Sequence, residues 1–153
     1  MTMKTIKRDI SLAELKKFNQ ALSKQYITYG VHKDKGTQQR GGTNEASIAS
    51  FLEFGTGTIP ARPAIRTFIV SRQSRKALLD EECIDMEKAI KKKSPSYFWN
   101  SLRSFVQQHV KARILNGLTP SNAPATIKRK GFDLPWVDTG RLVYQDMEAR
   151  VNK

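Results

Sequence analysis

Tyr29, His32 and Asp34 place a phenol, an imidazole and a carboxylate within six positions, a set that could relay a proton. They straddle the end of a β-forming run and the start of a Gly-rich polar stretch. A strand end running into a solvated loop explains them better than an acid–base site. His109 falls near the apolar face of a helical pattern and reads as a packed histidine. Cys83 has no nucleophile motif around it and reads as a small buried hydrophobe. The acids Asp80, Glu81, Glu82, Asp85 and Glu87 could attract a divalent cation. They lack the Gly-interrupted spacing of a calcium loop, so a solvated helix face is the expectation. Gly55-Thr56-Gly57-Thr58 lacks the Gly-Lys-Ser/Thr ending of a phosphate-cradling loop. An enzyme, a nuclease for example, finds no carboxylate or histidine motif to work with. No catalytic residue, metal site or cofactor is expected.

The basic residues carry the stronger signal. Lys91, Lys92 and Lys93 form one group and Lys128, Arg129 and Lys130 another, with Phe98, Trp99 and Phe132 nearby. Either group could contact phosphates or an acidic partner. No RNP, helix-turn-helix or zinc-finger pattern accompanies them, which argues against sequence-specific recognition. Across 153 residues, 27 Lys and Arg oppose 14 Asp and Glu, a net charge of +13 that favours polyanions or acidic proteins. The single cysteine excludes an internal disulfide framework, and two histidines far apart in sequence argue against a His-based metal centre. No apolar run approaches the roughly 20 residues that span a bilayer, so no membrane contact is expected. The basic start, Met1 to Arg8, leads into an amphipathic segment and not a signal-peptide core, which points to a soluble protein made in a reducing cytoplasm.

These groups must be held by a fold, and the apolar residues are periodic enough to supply one domain over residues 1–153. Ser11 and Glu14 have capping-box spacing, opening a helix over about Leu12 to Lys24 with Leu12, Leu15, Phe18 and Leu22 on one face. Tyr26 to Val31 reads as a strand. Lys33 to Thr43, with three glycines and no apolar residue, is expected to be a mobile loop. Thr43 or Asn44 then caps a short helix with Ile48, Phe51 and Leu52 as its stripe and Gly55 at its end. A long helix is expected from about Ala64 to Lys92, opened by Pro63 and open to interruption between Ser71 and Lys76. A second long helix over about Tyr97 to Leu115 buries Phe98, Leu102, Phe105, Val106, Val110 and Ile114. A basic helical turn around Thr126 to Lys130, a turn at Asp138-Thr139-Gly140 and a half-buried strand with Met147, Ala149 and Val151 inward complete the pattern. The class is α+β: a small antiparallel or mixed sheet against several helices, two of them long. Phe18, Phe51, Phe68, Leu102 and Phe105 are expected to pack together.

Three segments carry a family likeness. They are Tyr29-Gly30-Val31-His32 before the Gly-rich loop; Ile48 to Thr56, with Glu53-Phe54-Gly55-Thr56, running into Pro60-Ala61-Arg62-Pro63; and Leu118-Thr119-Pro120, Ala125 to Gly131, then Val137-Asp138-Thr139-Gly140-Arg141-Leu142. In this order, over about residues 26 to 142, the set resembles the neck and tail-completion proteins of long-tailed bacteriophages, a family of small head–tail joining and virion-morphogenesis proteins. Ala64 stands where that family usually has Phe, and Pro135-Trp136-Val137 replaces the more usual Pro-Leu-Ile/Val.

The resemblance implies a structural, non-catalytic subunit of a homo-oligomeric ring, of six or twelve copies, in the virion neck or tail. Its partners would be neighbouring connector, tail-terminator or tail proteins, with at most weak nonspecific contact with genomic DNA. A small basic nonspecific DNA-binding protein is the alternative. The motif residues also have physical roles of their own. Pro60 and Pro63 stiffen the loop. Arg62 between them is framed for a fork-like contact with a carboxylate or with backbone carbonyls. Gly55 permits a left-handed turn, and Asp138 can cap the turn at Thr139-Gly140. Stabilising the monomer and forming an interface are both open for Arg62 and Asp138.

Overall fold

The computed structural model describes residues 10–34, 39–40, 42–80 and 86–153. Ser11 opens α1 (Leu12–Leu22): its hydroxyl accepts from the Glu14 amide while the Glu14 carboxylate accepts from the Ser11 amide, the reciprocal box its spacing predicts. The chain then enters β1 (Tyr26–Val31). Within the Gly-rich stretch, β2 (Gln39–Arg40) pairs with β3 (Thr43–Asn44) in a short antiparallel ladder. Residues 35–38 and 41 of the expected mobile loop lie outside the described residues. Asn44 caps α2 (Glu45–Phe54), its side chain accepting from the Ser47 amide at 2.7 Å.

The long helix expected over Ala64–Lys92 is divided. It comprises α3 (Ile65–Val70), α4 (Arg72–Asp80) and α5 (Met86–Lys91). The break after α3 is at Ser71, whose backbone is extended (φ −63°, ψ 127°) and whose hydroxyl accepts from the Ser74 amide. A serine ahead of a stretch with no apolar anchor caps a new helix more favourably than it continues an old one. Cys83 and the acids Glu81, Glu82 and Asp85 lie outside the described residues. The second long helix is present as α6 (Pro95–Leu115), with Pro95 in its first turn, Ser94 as its cap and Gly117 just past its end. It is followed by α7 (Pro124–Lys130), a π-helical turn at Leu142–Asp146 and β4 (Met147–Asn152).

β1 and β4 form a two-stranded antiparallel ribbon, in register from Tyr26 opposite Asn152 to Val31 opposite Met147. The ribbon packs on α6 and α2. The class is therefore α+β, with a small antiparallel sheet against helices. Between them lies a core that includes Phe68, Phe105, Val110, Ile114, Trp136 and Met147. Met147 and Ala149 point inward, as the alternation of β4 requires.

Of the five residues expected to pack together, Phe68 and Phe105 meet, their ring centroids 6.3 Å apart, and Leu102 lines the same apolar cavity as Phe68. Phe18 is buried, but outside that cluster. Phe51 is a correction: it is 39 % exposed. The inward face of α2 is centred on Glu45, Ala49, Leu52 and Glu53, so two carboxylates occupy positions that a purely apolar stripe assigns to hydrophobes.

Candidate functional site

The second and third of the segments quoted for the family likeness meet at one buried junction. The last turn of α2 carries Glu53, which is only 5 % exposed although it is a carboxylate. Its two oxygens accept three backbone N–H groups at the start of α3: Ala64 at 2.8 Å, Ile65 at 3.1 Å and Arg66 at 2.8 Å. The first amides of a helix have no partner within it, and a carboxylate beside them also meets the positive end of the helix dipole. Glu53 is thus a cap supplied from eleven residues upstream. It holds the start of α3 at Ile65, one residue after the Ala64 start that the sequence suggests.

Between Glu53 and the helix it caps, the chain must turn sharply. Gly55 does this with φ +80°, in a space where a Cβ would lie 2.9 Å from the Ala61 amide nitrogen. The Thr56 amide donates to the Ile59 carbonyl at 2.8 Å, and the Thr56 hydroxyl accepts from the Thr58 and Ile59 amides. The returning strand of the loop is fastened to α2 by Arg62 N–H donating to the Leu52 carbonyl at 2.7 Å.

Arg62 is buried, and its guanidinium reaches across to the third segment. Nε donates to the Pro120 carbonyl at 2.5 Å and Nη2 to the Ser121 carbonyl at 2.8 Å, with Nη1 3.4 Å from the Pro60 carbonyl. Of the two partners open to this arginine, backbone carbonyls are the ones it binds, within its own chain. Its own carbonyl accepts from Trp136 Nε1 at 2.9 Å. Trp136 therefore adds a buried hydrogen bond that an aliphatic side chain at this position would lack. Ala64 is fully buried, its amide held by Glu53.

Asp138 lies at the surface, 3.4 Å from Arg129, and Thr139 is exposed. Gly140 sits against the Tyr144 ring, which a Cβ would approach to 3.0 Å. In the basic group on α7, Lys128 is exposed. Lys130 donates to the Leu134 carbonyl at 2.7 Å and lies over the Phe132 ring; burial pulls its ammonium pKa down. In the other group, Lys91 pairs with Glu87 at 2.6 Å, Lys92 lies 4.1 Å from the centre of the Tyr97 ring, and Lys93 pairs with Glu14 at 2.6 Å. The Lys93 bond, followed by the Ser11 amide, holds the Glu14 carboxyl down to about 2.

Tyr29, His32 and Asp34 do not share a site. Tyr29 packs against the core, and burial pushes its hydroxyl up to about 12. His32 Nε2 lies 3.2 Å from the Glu148 carbonyl. Asp34 is at the surface, bonded by two guanidinium nitrogens of Arg150 at 2.8 and 2.7 Å, and that contact lowers its pKa. His109 stacks on Phe105, with ring centroids 3.9 Å apart.

Phe54, next to the inward Glu53, points outward and is 67 % exposed; Ile69 and Val70 on α3 are each 64 % exposed. Phe54 and Ile69 line an open groove of about 290 Å³, together with Val31, Ala49 and Ile65. Arg66 lies over the Phe54 ring at 5.5 Å. The sequence marks Phe54 as a motif residue, whereas Ile69 reads there as one of the apolar positions of the expected helix.

Comparison with protein-family models, with curated proteins and with solved structures found no match for this chain.

Proposed function

We propose that this chain is a structural virion protein, a ring-forming subunit at the head–tail junction or the top of the tail of a long-tailed bacteriophage, serving neck assembly or tail completion without catalysis. The observation that carries the reading is the opposite orientation of two adjacent motif residues. Glu53 is used inside the chain as a helix cap, whereas Phe54 stands in solvent and lines a groove with Ile69. A large aromatic side chain exposed at the rim of an apolar groove suits burial by a protein neighbour. The internal bonds of Glu53, Thr56 and Arg62 give those three residues a monomer-stabilising role and leave Phe54 for assembly. Most of the excess positive charge then serves docking against acidic protein rings.

Electron microscopy of the purified protein and of virions tests the proposal. Rings of six or twelve copies, or the chain located at the neck or tail top, support it. A chain that stays monomeric and is absent from virions overturns it. The second reading, a small basic DNA-binding protein, is favoured by the charge alone. It predicts duplex binding at about 150 mM salt much tighter than the roughly 10⁻⁴–10⁻⁶ M of nonspecific binders.

A further inference from the structure

Between Glu87 and Asp133 the chain has ten Lys or Arg and no Asp or Glu. The 21-residue helix α6 lies wholly inside this acid-free stretch. Along one side of it, Tyr97, Asn100, Ser101, Ser104, Phe105 and Gln108 line an open groove of about 410 Å³. Lys111, one turn beyond Gln108, continues the same face at helical spacing. Each end of this face carries a lysine set over a tyrosine ring: Lys92 lies 4.1 Å from the centre of Tyr97, and Lys111 lies 4.1 Å from that of Tyr144.

We infer that this face of α6 is a track for the phosphodiester backbone of duplex DNA. The floor offers neutral donors, the Asn and Gln amides and the serine hydroxyls, which are among the groups that contact phosphates without reading sequence. From Tyr97 to Lys111 the track is about 20 Å long at 1.5 Å per residue. No carboxylate on the helix repels the polyanion, and the lysines attract it at both ends. A row of similar neutral donors matches a uniform polymer. With only two lysines on the track the contact is weak and strongly screened, so DNA is guided without being gripped. The inference does not depend on ring assembly. Rings that fail to bind duplex would remove the track alone, and monomers that bind duplex through α6 would leave it standing.

The test is fluorescence anisotropy of a labelled 20-base-pair duplex with the full chain at 50 and 200 mM salt. Lys92→Gln/Lys111→Gln is compared with Lys128→Gln/Arg129→Gln, which removes equal charge from α7. Losing two phosphate contacts should flatten the slope of log K against log salt by about 2, equivalent to about a tenfold change in affinity over that salt range. The α7 variant should change affinity less than threefold at 50 mM. Ser104→Glu, which puts a carboxylate on the exposed floor, should abolish binding even if the double variant folds poorly. Equal losses in the two double variants, an unchanged slope, or wild-type binding by Ser104→Glu would overturn the track. Displacement of the duplex by a poly-glutamate peptide at lower charge concentration than by competitor DNA would also overturn it, in favour of an acidic protein partner.

Discussion

Replacing Glu53 by alanine should destabilise the protein more than any surface substitution. The change withdraws the acceptor from three helix-start amides, of which the Ala64 amide is buried and those of Ile65 and Arg66 are partly buried. A buried donor left without a partner costs about 1–3 kcal/mol. Charging the full penalty to Ala64 and a fraction to the two that water can reach gives about 3–5 kcal/mol, more than the ~1 kcal/mol of an ordinary cap. For a chain of this length, each kcal/mol shifts the melting midpoint by about 2–4 °C, so a fall of about 10–15 °C is expected. Glu53→Gln keeps one acceptor oxygen in place and should lose about 1–2 kcal/mol. Urea titrations of both variants, followed by far-UV circular dichroism, measure the difference. An alanine variant within about 1 kcal/mol of wild type, or a glutamine variant as damaged as the alanine one, would refute the capping argument.

Three further outcomes follow from the same structure. Phe105→Ala, in the core, should cost about 3–5 kcal/mol, whereas Phe51→Ala should cost under about 1 kcal/mol; equal effects in chemical denaturation would mean that α2 presents the other face. Gly55→Ala should lose about 1–3 kcal/mol, since it meets both the positive φ and the close Ala61 amide, and a variant melting with wild type would contradict that geometry. The Glu14 carboxyl is depressed from 4.5 to about 2, so its bond to Lys93 stabilises the folded chain above pH 4.5 and is lost as pH falls through about 2; an NMR titration placing that carboxyl near its ordinary value would show that Lys93 does not hold α1.

Much of the architecture was legible because it rests on local chemistry. The Ser11–Glu14 box, the β-branched and aromatic run of β1, the alternation of β4 and the apolar face of α6 are each written within a few residues of one another. What escaped depends on distant partners. Glu53 stood out as a motif letter, but its burial is set by a helix start eleven positions downstream, and apolar periodicity alone assigned its place on α2 to Phe51. Arg62 was framed correctly for carbonyls or a carboxylate, yet only the fold brings Pro120 and Ser121 within reach. The split at Ser71 lay inside the stretch where an interruption was anticipated, and the serine itself was the signal. The acid-free interval from Lys88 to Phe132 was fully visible in the sequence. The neutral helix face lies between the two compact basic triplets, and no charge run marks it in the sequence.

The β1–β4 ribbon also bears on how the chain reaches this state. It pairs residue 26 with residue 152, so nearly every other element lies inside the loop it closes. Closing a loop of that size from a disordered chain costs about 4 kcal/mol in entropy on the logarithmic scaling, before any strand contact is gained. Helices with local contacts form far sooner than such distant pairings. The ribbon should therefore zip late, onto an α2–α3–α6 scaffold whose Glu53 and Arg62 bonds have already shortened the distance between its strands. Mutations in that junction would then slow folding, while mutations in the ribbon would mainly hasten unfolding.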